Sequence, residues 1–147
     1  MADISAQERA ERVRDVMWQA DEASRWLGMS CEHIAPGAAT VSMKLEAHHC
    51  NGHKTCHGGM SYALADSAFA LACNSYNQIA VAQHNSMTYT APAFEGDVLT
   101  AHAVERSRAG RSGIYDVRIT NQKGDLIAEF RGGSRVIRGQ HFEGADT

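Results

Sequence analysis

Apolar positions along this chain change their period twice. Over residues 5–28, Ala6, Ala10, Val13, Met17, Ala20 and Leu27 recur at spacings of three, four and seven, the pattern of one face of an α-helix. Ser5 with Glu8 three positions on predicts a capping box at the start of that helix, and Gly28 suits the left-handed residue that closes it. The period then becomes two: Ala39, Val41, Met43 and Leu45 alternate with Thr40, Ser42 and Lys44, which predicts a half-buried strand entered through a Pro36-Gly37 turn. Alternation returns over residues 81–90, 98–105, 114–120 and 126–131, predicting four more strands. Gly110 to Gly113 and Lys123-Gly124-Asp125 fall where hairpin turns belong, so antiparallel pairing is expected.

The segment from Gly58 to Asn74 follows neither rule, because small and apolar residues lie on all its sides. That suits a helix buried all round and approached closely by its neighbours. An antiparallel sheet wrapped around one long helix, with a further helix at the N-terminus, is the packing that satisfies both patterns, an α+β fold.

The length of 147 residues predicts one domain over the whole chain, with residues 1–4 and 138–147 as loose termini. Hydrophobic residues at 44% and charged residues at 21% fit one globular core. A formal charge of −3 argues against a nucleic-acid partner. The early charges from Asp3 to Asp15 leave no room for an export signal, and Asp66 and Ser67 interrupt the most apolar stretch, well short of the roughly 18 apolar residues of a membrane span. A cytoplasmic protein with no membrane partner is expected, its Cys31, Cys50, Cys56 and Cys73 remaining thiols.

Asp66 is the only carboxylate from Met60 to Ser75, and an unpaired buried carboxylate is costly or shifts its pKa. Two readings stand: a chemical task, or a carboxylate that caps neighbouring backbone or reaches solvent. Immediately before the helix, Cys56-His57-Gly58-Gly59 brings bare amides to the positive end of the helix dipole, where they suit an oxyanion pocket or a tight turn. Gly58 and Asp66 stand eight positions apart, about 12 Å of rise and roughly 80° of rotation, too far for one carbonyl to reach both. Two antiparallel copies of the helix across a two-fold axis would bring Gly58 of one subunit beside Asp66 of the other, so composite sites in a homodimer are expected.

Asn51-Gly52-His53-Lys54-Thr55-Cys56-His57-Gly58-Gly59, then Leu64-Ala65-Asp66-Ser67-Ala68-Phe69-Ala70 and Ala72-Cys73-Asn74-Ser75, resembles the hotdog-fold acyl-CoA thioesterases of the phenylacetate-degradation (PaaI) type. Pro92, Phe94-Glu95-Gly96-Asp97, Ser112-Gly113-Ile114-Tyr115-Asp116 and Phe130-Arg131-Gly132 extend the likeness over nearly the whole chain. The resemblance implies a long central helix in a curved antiparallel sheet, dimers that associate into homotetramers, and no cofactor. It also implies hydrolysis of phenylacetyl-CoA or ring-hydroxylated relatives. Gly58 would carry the oxyanion-binding amide, the neighbouring subunit's Asp66 would be nucleophile or general base, Asn51 would orient water or thioester, and His57 would polarise the carbonyl or hold the turn. Some relatives set a serine hydroxyl beside the carboxylate; counting to Tyr89 puts Ala82 or Gln83 there.

The expected substrate contacts are Gly59, Tyr62, Ser67, Phe69 and Gln83, with Arg108 and Arg111 suited to CoA phosphates. Tyr62 and Phe69 also fit a core role. His48, His49, Cys50, His53, Cys56 and His57 cluster metal-ligating types but lack the paired knuckles of structural zinc sites. A zinc-stabilised module, a non-catalytic acyl-CoA binder and a hotdog dehydratase are the competing expectations.

Overall fold

The computed structural model describes residues 3–144. Helix α1 runs Ala6–Ala20 and opens with the expected box: the Glu8 amide donates to Ser5 Oγ at 3.1 Å and the Ser5 amide to Glu8 Oε2 at 2.8 Å. Ala10 and Val13 are buried, whereas Ala6 and Ala20 are exposed. The single helix expected over 5–28 is in fact two. At Asp21 the side chain takes the Ser24 amide (2.9 Å) and hydroxyl (2.6 Å), and a new short helix α2 starts at Glu22–Trp26. A local acceptor that outcompetes the helical carbonyl ends α1 there.

Strand β1, Met29–Ala35, is absent from the sequence-based expectation. A register irregularity between Cys31 and His33 breaks its alternation, which removes the period-two signal. It turns at Pro36-Gly37 into β2, Ala38–Lys44. Helix α3 covers Gly58–Asn74, the limits the sequence predicts. The later strands are β3 (Gln78–Tyr89), β4 (Val98–Ala109), β5 (Ser112–Thr120) and β6 (Leu126–Gln140); the last three contain the predicted ones and run longer, while β3 starts three residues earlier than predicted and stops one residue short, before Thr90. Among the described residues they form one six-stranded sheet, β1-β2-β4-β5-β6-β3, with every neighbouring pair antiparallel.

The tail expected to be loose from Arg138 stays in β6 to Gln140, and the His141 and Phe142 amides both donate to Asn77 Oδ1 at 3.2 Å. Residues 1, 2 and 145–147, also expected to be loose, lie outside the described residues. No helix of the described residues is long and apolar enough to cross a membrane.

Helix α3 packs against all six strands. Its Leu64, Ala65, Ala68, Phe69, Leu71 and Ala72 are buried with Val41, Leu99, Val117 and Phe130 of the sheet. The aromatic centre of the core is Phe69, 1% exposed, edge-on to Tyr115 and tilted against Phe130. Its ring lies over Gly132, where an added Cβ would sit 2.8 Å from the ring carbons. Because the added methyl would push the Phe69 ring out of its packing against Tyr115 and Phe130, Gly132→Ala is expected to lower stability by about 1–3 kcal/mol, measured as a reduced urea midpoint with unchanged slope. A midpoint equal to wild type would mean that this contact is softer than the packing implies.

Candidate active site

The chain approaches α3 through a narrow two-stranded ladder. The Asn51 amide donates to the Thr55 carbonyl and the His57 amide to the His49 carbonyl, each at 2.8 Å, which sets Cys50 opposite Cys56. Inside the ladder Asn51 Oδ1 accepts from the His53 amide (2.9 Å), the Thr55 amide (3.3 Å) and the Thr55 hydroxyl (3.2 Å), tightening the turn on which Asn51 itself stands. His49 Nδ1 accepts from the Glu46 amide at 2.9 Å, and its Nε2 lies 2.8 Å from the Leu27 carbonyl. Both ring nitrogens are thus spent on backbone, and burial pushes the ring below the usual histidine pKa. Among the described residues no three His, Cys, Asp or Glu side chains converge as metal ligands.

His57 is the N-cap of α3, and its Nδ1 accepts from the Gly59 amide at 3.0 Å. That uses one of the first-turn amides. Among the described residues nothing accepts from the Gly58 amide, which lies at the positive end of the helix dipole. The Tyr89 hydroxyl donates to the Gly58 carbonyl at 2.8 Å, and a Cβ on Gly58 would meet the Tyr89 ring at 3.1 Å. Only glycine leaves this approach open. A cleft of about 410 Å³ lies here, bordered by Thr55, Cys56, Gly58, Tyr89, Ala91 and Ile127.

Asp66 is half-buried further along α3 and looks towards β3. Burial raises its carboxyl pKa above the ordinary aspartate value; the Asn85 side-chain N–H opposes this and the negative charge of Asp21 adds to it. Asn85 Nδ2 reaches Asp66 Oδ1 at 3.5 Å, while Asn85 Oδ1 is buried without a hydrogen-bond partner among the described residues. Beside the carboxylate lies a second cavity of about 300 Å³, mostly apolar, bordered by Met17, Phe69, Ala70, Cys73, Val81 and Ala82. Gly58 borders the first cavity and Asp66 the second, so one chain does not bring the two together.

The other expected contacts fall in several places. The Ser67 hydroxyl lies 2.7 Å from that of Ser24 and ties α3 to α2. Half-buried Tyr62 meets Phe130 edge-on, and Phe69 belongs to the core although its edge borders the Asp66 cavity. Gln83 is exposed at a bulge between Ala82 and His84; Ala82 borders the Asp66 cavity, and the side chain that hydrogen-bonds the carboxylate is Asn85. Asn85 is also the residue that sequence reasoning misses. Strict alternation counted back from Tyr89 passes through it, whereas the bulge reverses that parity beyond Gln83. The Arg108 guanidinium stacks on the Tyr76 ring at 3.6 Å, and Arg111 sits in the β4–β5 turn; neither borders the two cavities.

Comparison with known proteins matches residues 53–128 to the thioesterase superfamily. The acyl-coenzyme A thioesterase PaaI of Escherichia coli (strain K12) is 42% identical over 123 residues, covering 84% of this chain and 88% of that protein. The solved structure of the E. coli PaaI protein from the phenylacetic acid degradation operon superposes with a TM-score of 0.91 at 39% identity, over 92% of this chain and 99% of that one. A hypothetical thioesterase solved with coenzyme A, from Streptococcus pneumoniae TIGR4, superposes with a TM-score of 0.73 at 26% identity, over 77% and 90%.

Carboxyl-detected NMR titration is expected to place Asp66 above the ordinary aspartate value of about 3.9. Asn85→Ala removes the N–H that opposes the shift, so the midpoint is expected to rise further in that variant. An Asp66 that titrates at or below the ordinary value in both proteins would contradict this electrostatic picture.

Proposed function

The chain belongs to the thioesterase superfamily as a hotdog-fold acyl-CoA thioesterase of the PaaI type, and from that premise we propose that it hydrolyses phenylacetyl-CoA or ring-hydroxylated phenylacetyl-CoA-like thioesters to free acid and CoA at sites shared by two subunits. The observation that carries this reading is the pairing of an unspent Gly58 amide at the start of a buried helix with one half-buried carboxylate, Asp66, on the same helix but in a separate cavity.

Strand β3 stands at the edge of the sheet, and most of it is exposed. An unprotected edge of twelve residues favours pairing with a second copy. Antiparallel β3–β3 pairing sets two α3 helices side by side, so that each Gly58 amide approaches the Asp66 carboxylate across the two-fold axis. The homodimer is then the smallest active unit, and homotetramers follow from the family likeness.

At such a site the Gly58 amide donates to the thioester oxygen and stabilises negative charge as the carbonyl carbon becomes tetrahedral. Asp66 of the other subunit attacks that carbon or takes a proton from the attacking water, and it must be ionised in both routes. His57 prepares the pocket by holding the Gly59 amide, which leaves Gly58 as the free donor. Asn51 stands on the turn beside the cleft and contributes its side-chain amide to orienting water or thioester. The CoA thiolate is a good leaving group, so no strong general acid is needed.

Support for an arylacetyl group comes from the similarity to a protein of the phenylacetic acid degradation operon and from the mostly apolar cavity beside Asp66. Support for CoA recognition comes from the relative solved with coenzyme A. Gly59, Tyr62, Ser67, Gln83, Arg108 and Arg111 complete the proposed substrate contacts; none of them borders either cavity of the single chain, so they would act across the subunit interface.

A free-thiol release assay over a panel of acyl-CoAs tests this reading. Arylacetyl-CoAs are expected to turn over fastest, and Asp66→Asn to lower kcat by about 100-fold or more. Because the folded state raises the Asp66 pKa, ionising this group weakens the fold as pH rises through the folded value. Asp66→Asn is therefore expected to melt no lower than wild type at neutral pH. The same shift means that kcat/KM should climb with pH through a midpoint above about 3.9. Undiminished turnover in Asp66→Asn would reject the assignment, and CoA binding without thiol release would fit a non-catalytic binder.

A further inference from the structure

Cys50 and Cys56 face each other across the antiparallel bridge that precedes α3. The hydrogen bonds on either side, Asn51 to Thr55 and His57 to His49, make this the non-hydrogen-bonded kind of pair. Such a pair brings its Cα atoms to about 4.5 Å, with both side chains on one face of the ladder. That separation falls within the range of about 4.4–6.8 Å spanned by disulfides. Both thiols are free and partly exposed. Their contacts are local: Cys50 Sγ donates to the Glu46 carbonyl at 3.6 Å, and Cys56 Sγ donates to the His57 carbonyl at 3.4 Å and lies within hydrogen-bonding reach of Ser61. Rotation about the two Cα–Cβ bonds releases these contacts and turns the sulfurs towards each other.

We propose that Cys50 and Cys56 form an oxidisable dithiol, which hydrogen peroxide converts to an intramolecular disulfide that latches the loop carrying Asn51 against the start of α3. The Cys50 thiolate attacks the peroxide O–O bond, becoming a sulfenic acid as hydroxide leaves and takes up the thiol proton to give water. The Cys56 thiolate then attacks the sulfenic sulfur; the S–S bond forms, the S–O bond breaks, and the departing hydroxide takes up the second thiol proton. Two thiols lose two electrons and two protons, and one peroxide becomes two waters.

Burial, with the facing Cys50 sulfur adding to it, holds the Cys56 thiol above its usual pKa, so it serves as the resolving partner. Cys73 is no competitor, because burial pushes its thiol up to about 12 inside the helix core. The latch has two points of contact with the site. Asn51 stands within the closed ring, and Cys56 borders the cleft beside Gly58. Where a cell keeps thiols reduced, a disulfide of this kind is transient and reports oxidant exposure.

Reduced protein is treated with hydrogen peroxide and digested with trypsin without reductant. Cleavage after Lys54 separates the two cysteines, so their peptides travel together only through the disulfide. Wild type is expected to lose two hydrogen masses and yield the Cys50–Cys56 linked pair, with dithiothreitol reversing both; Cys50→Ser is expected to yield neither. Hydrogen exchange over residues 50–57 should slow in the oxidised protein and return on reduction. Neither readout uses turnover, so they decide the proposal even if the thioesterase reading fails. With that reading granted, kcat/KM of the oxidised wild type is expected to fall by about threefold or more and recover on reduction, while Cys50→Ser keeps its activity throughout. Cysteines that stay free, over-oxidise singly or link different chains would overturn the proposal, as would a linked pair that leaves both exchange and turnover unchanged.

Discussion

The structure depends on the close wrapping of α3 by the sheet. A helix whose Leu64, Ala65, Ala68 and Ala72 are fully buried leaves little surface for chemistry, and small side chains let the strands come near enough to exclude water. Two openings border the helix, at the N-terminal turn beside Gly58 and on the flank beside Asp66. Both belong to one rigid element, so their separation is fixed by helix geometry rather than by loops. In the proposed dimer, two chains bring together what one chain does not.

Electrostatics gives each opening its character. At the helix start His57 takes the Gly59 amide, which limits the free donors and points to the Gly58 N–H as the one left over. On the flank, burial keeps Asp66 harder to ionise than an exposed aspartate, and Asn85 offers it a single long N–H contact. Such a carboxylate costs stability and is poorly solvated, which suits a group whose partner is a substrate carbonyl or a water rather than a cation. The arginines contrast with it: Arg106 and Arg131 are paired with Asp116 on the exposed sheet face, as ordinary surface ion pairs.

Much of this is legible in the sequence where local chemistry decides the outcome. The Ser5–Glu8 box, the limits of α3 and the alternating strands follow from caps and periods, and the antiparallel order follows from the short turns. The rest fails where one residue overrides a pattern. Asp21 ends α1 by taking the Ser24 amide, and a bulge hides β1. Gly132 and Gly133 interrupt the alternation of β6, although Gly132 is required there by the Phe69 ring. In the site, Gly58 and Asp66 stand out because a bare amide and a lone acid conflict with burial. Ser67 and Arg108 carry no such conflict, and their contacts with Ser24 and Tyr76 depend on tertiary neighbours that no spacing reveals. Asn85 lies on the Tyr89 side of the bulge at Gln83, within unbroken alternation, and only its tertiary contact with Asp66 distinguishes it.

The central claim is that each site takes its amide from one subunit and its acid from the other. Hybrid dimers test it directly: an Asp66→Asn chain and a chain with Gly58 replaced by a bulky residue, each inactive alone, are co-refolded with different affinity tags and purified as mixed dimers. Shared sites predict that thiol release returns to about half the wild-type rate, because one of the two sites then has both groups intact. Verified mixed dimers that stay as inactive as their parents would contradict the account.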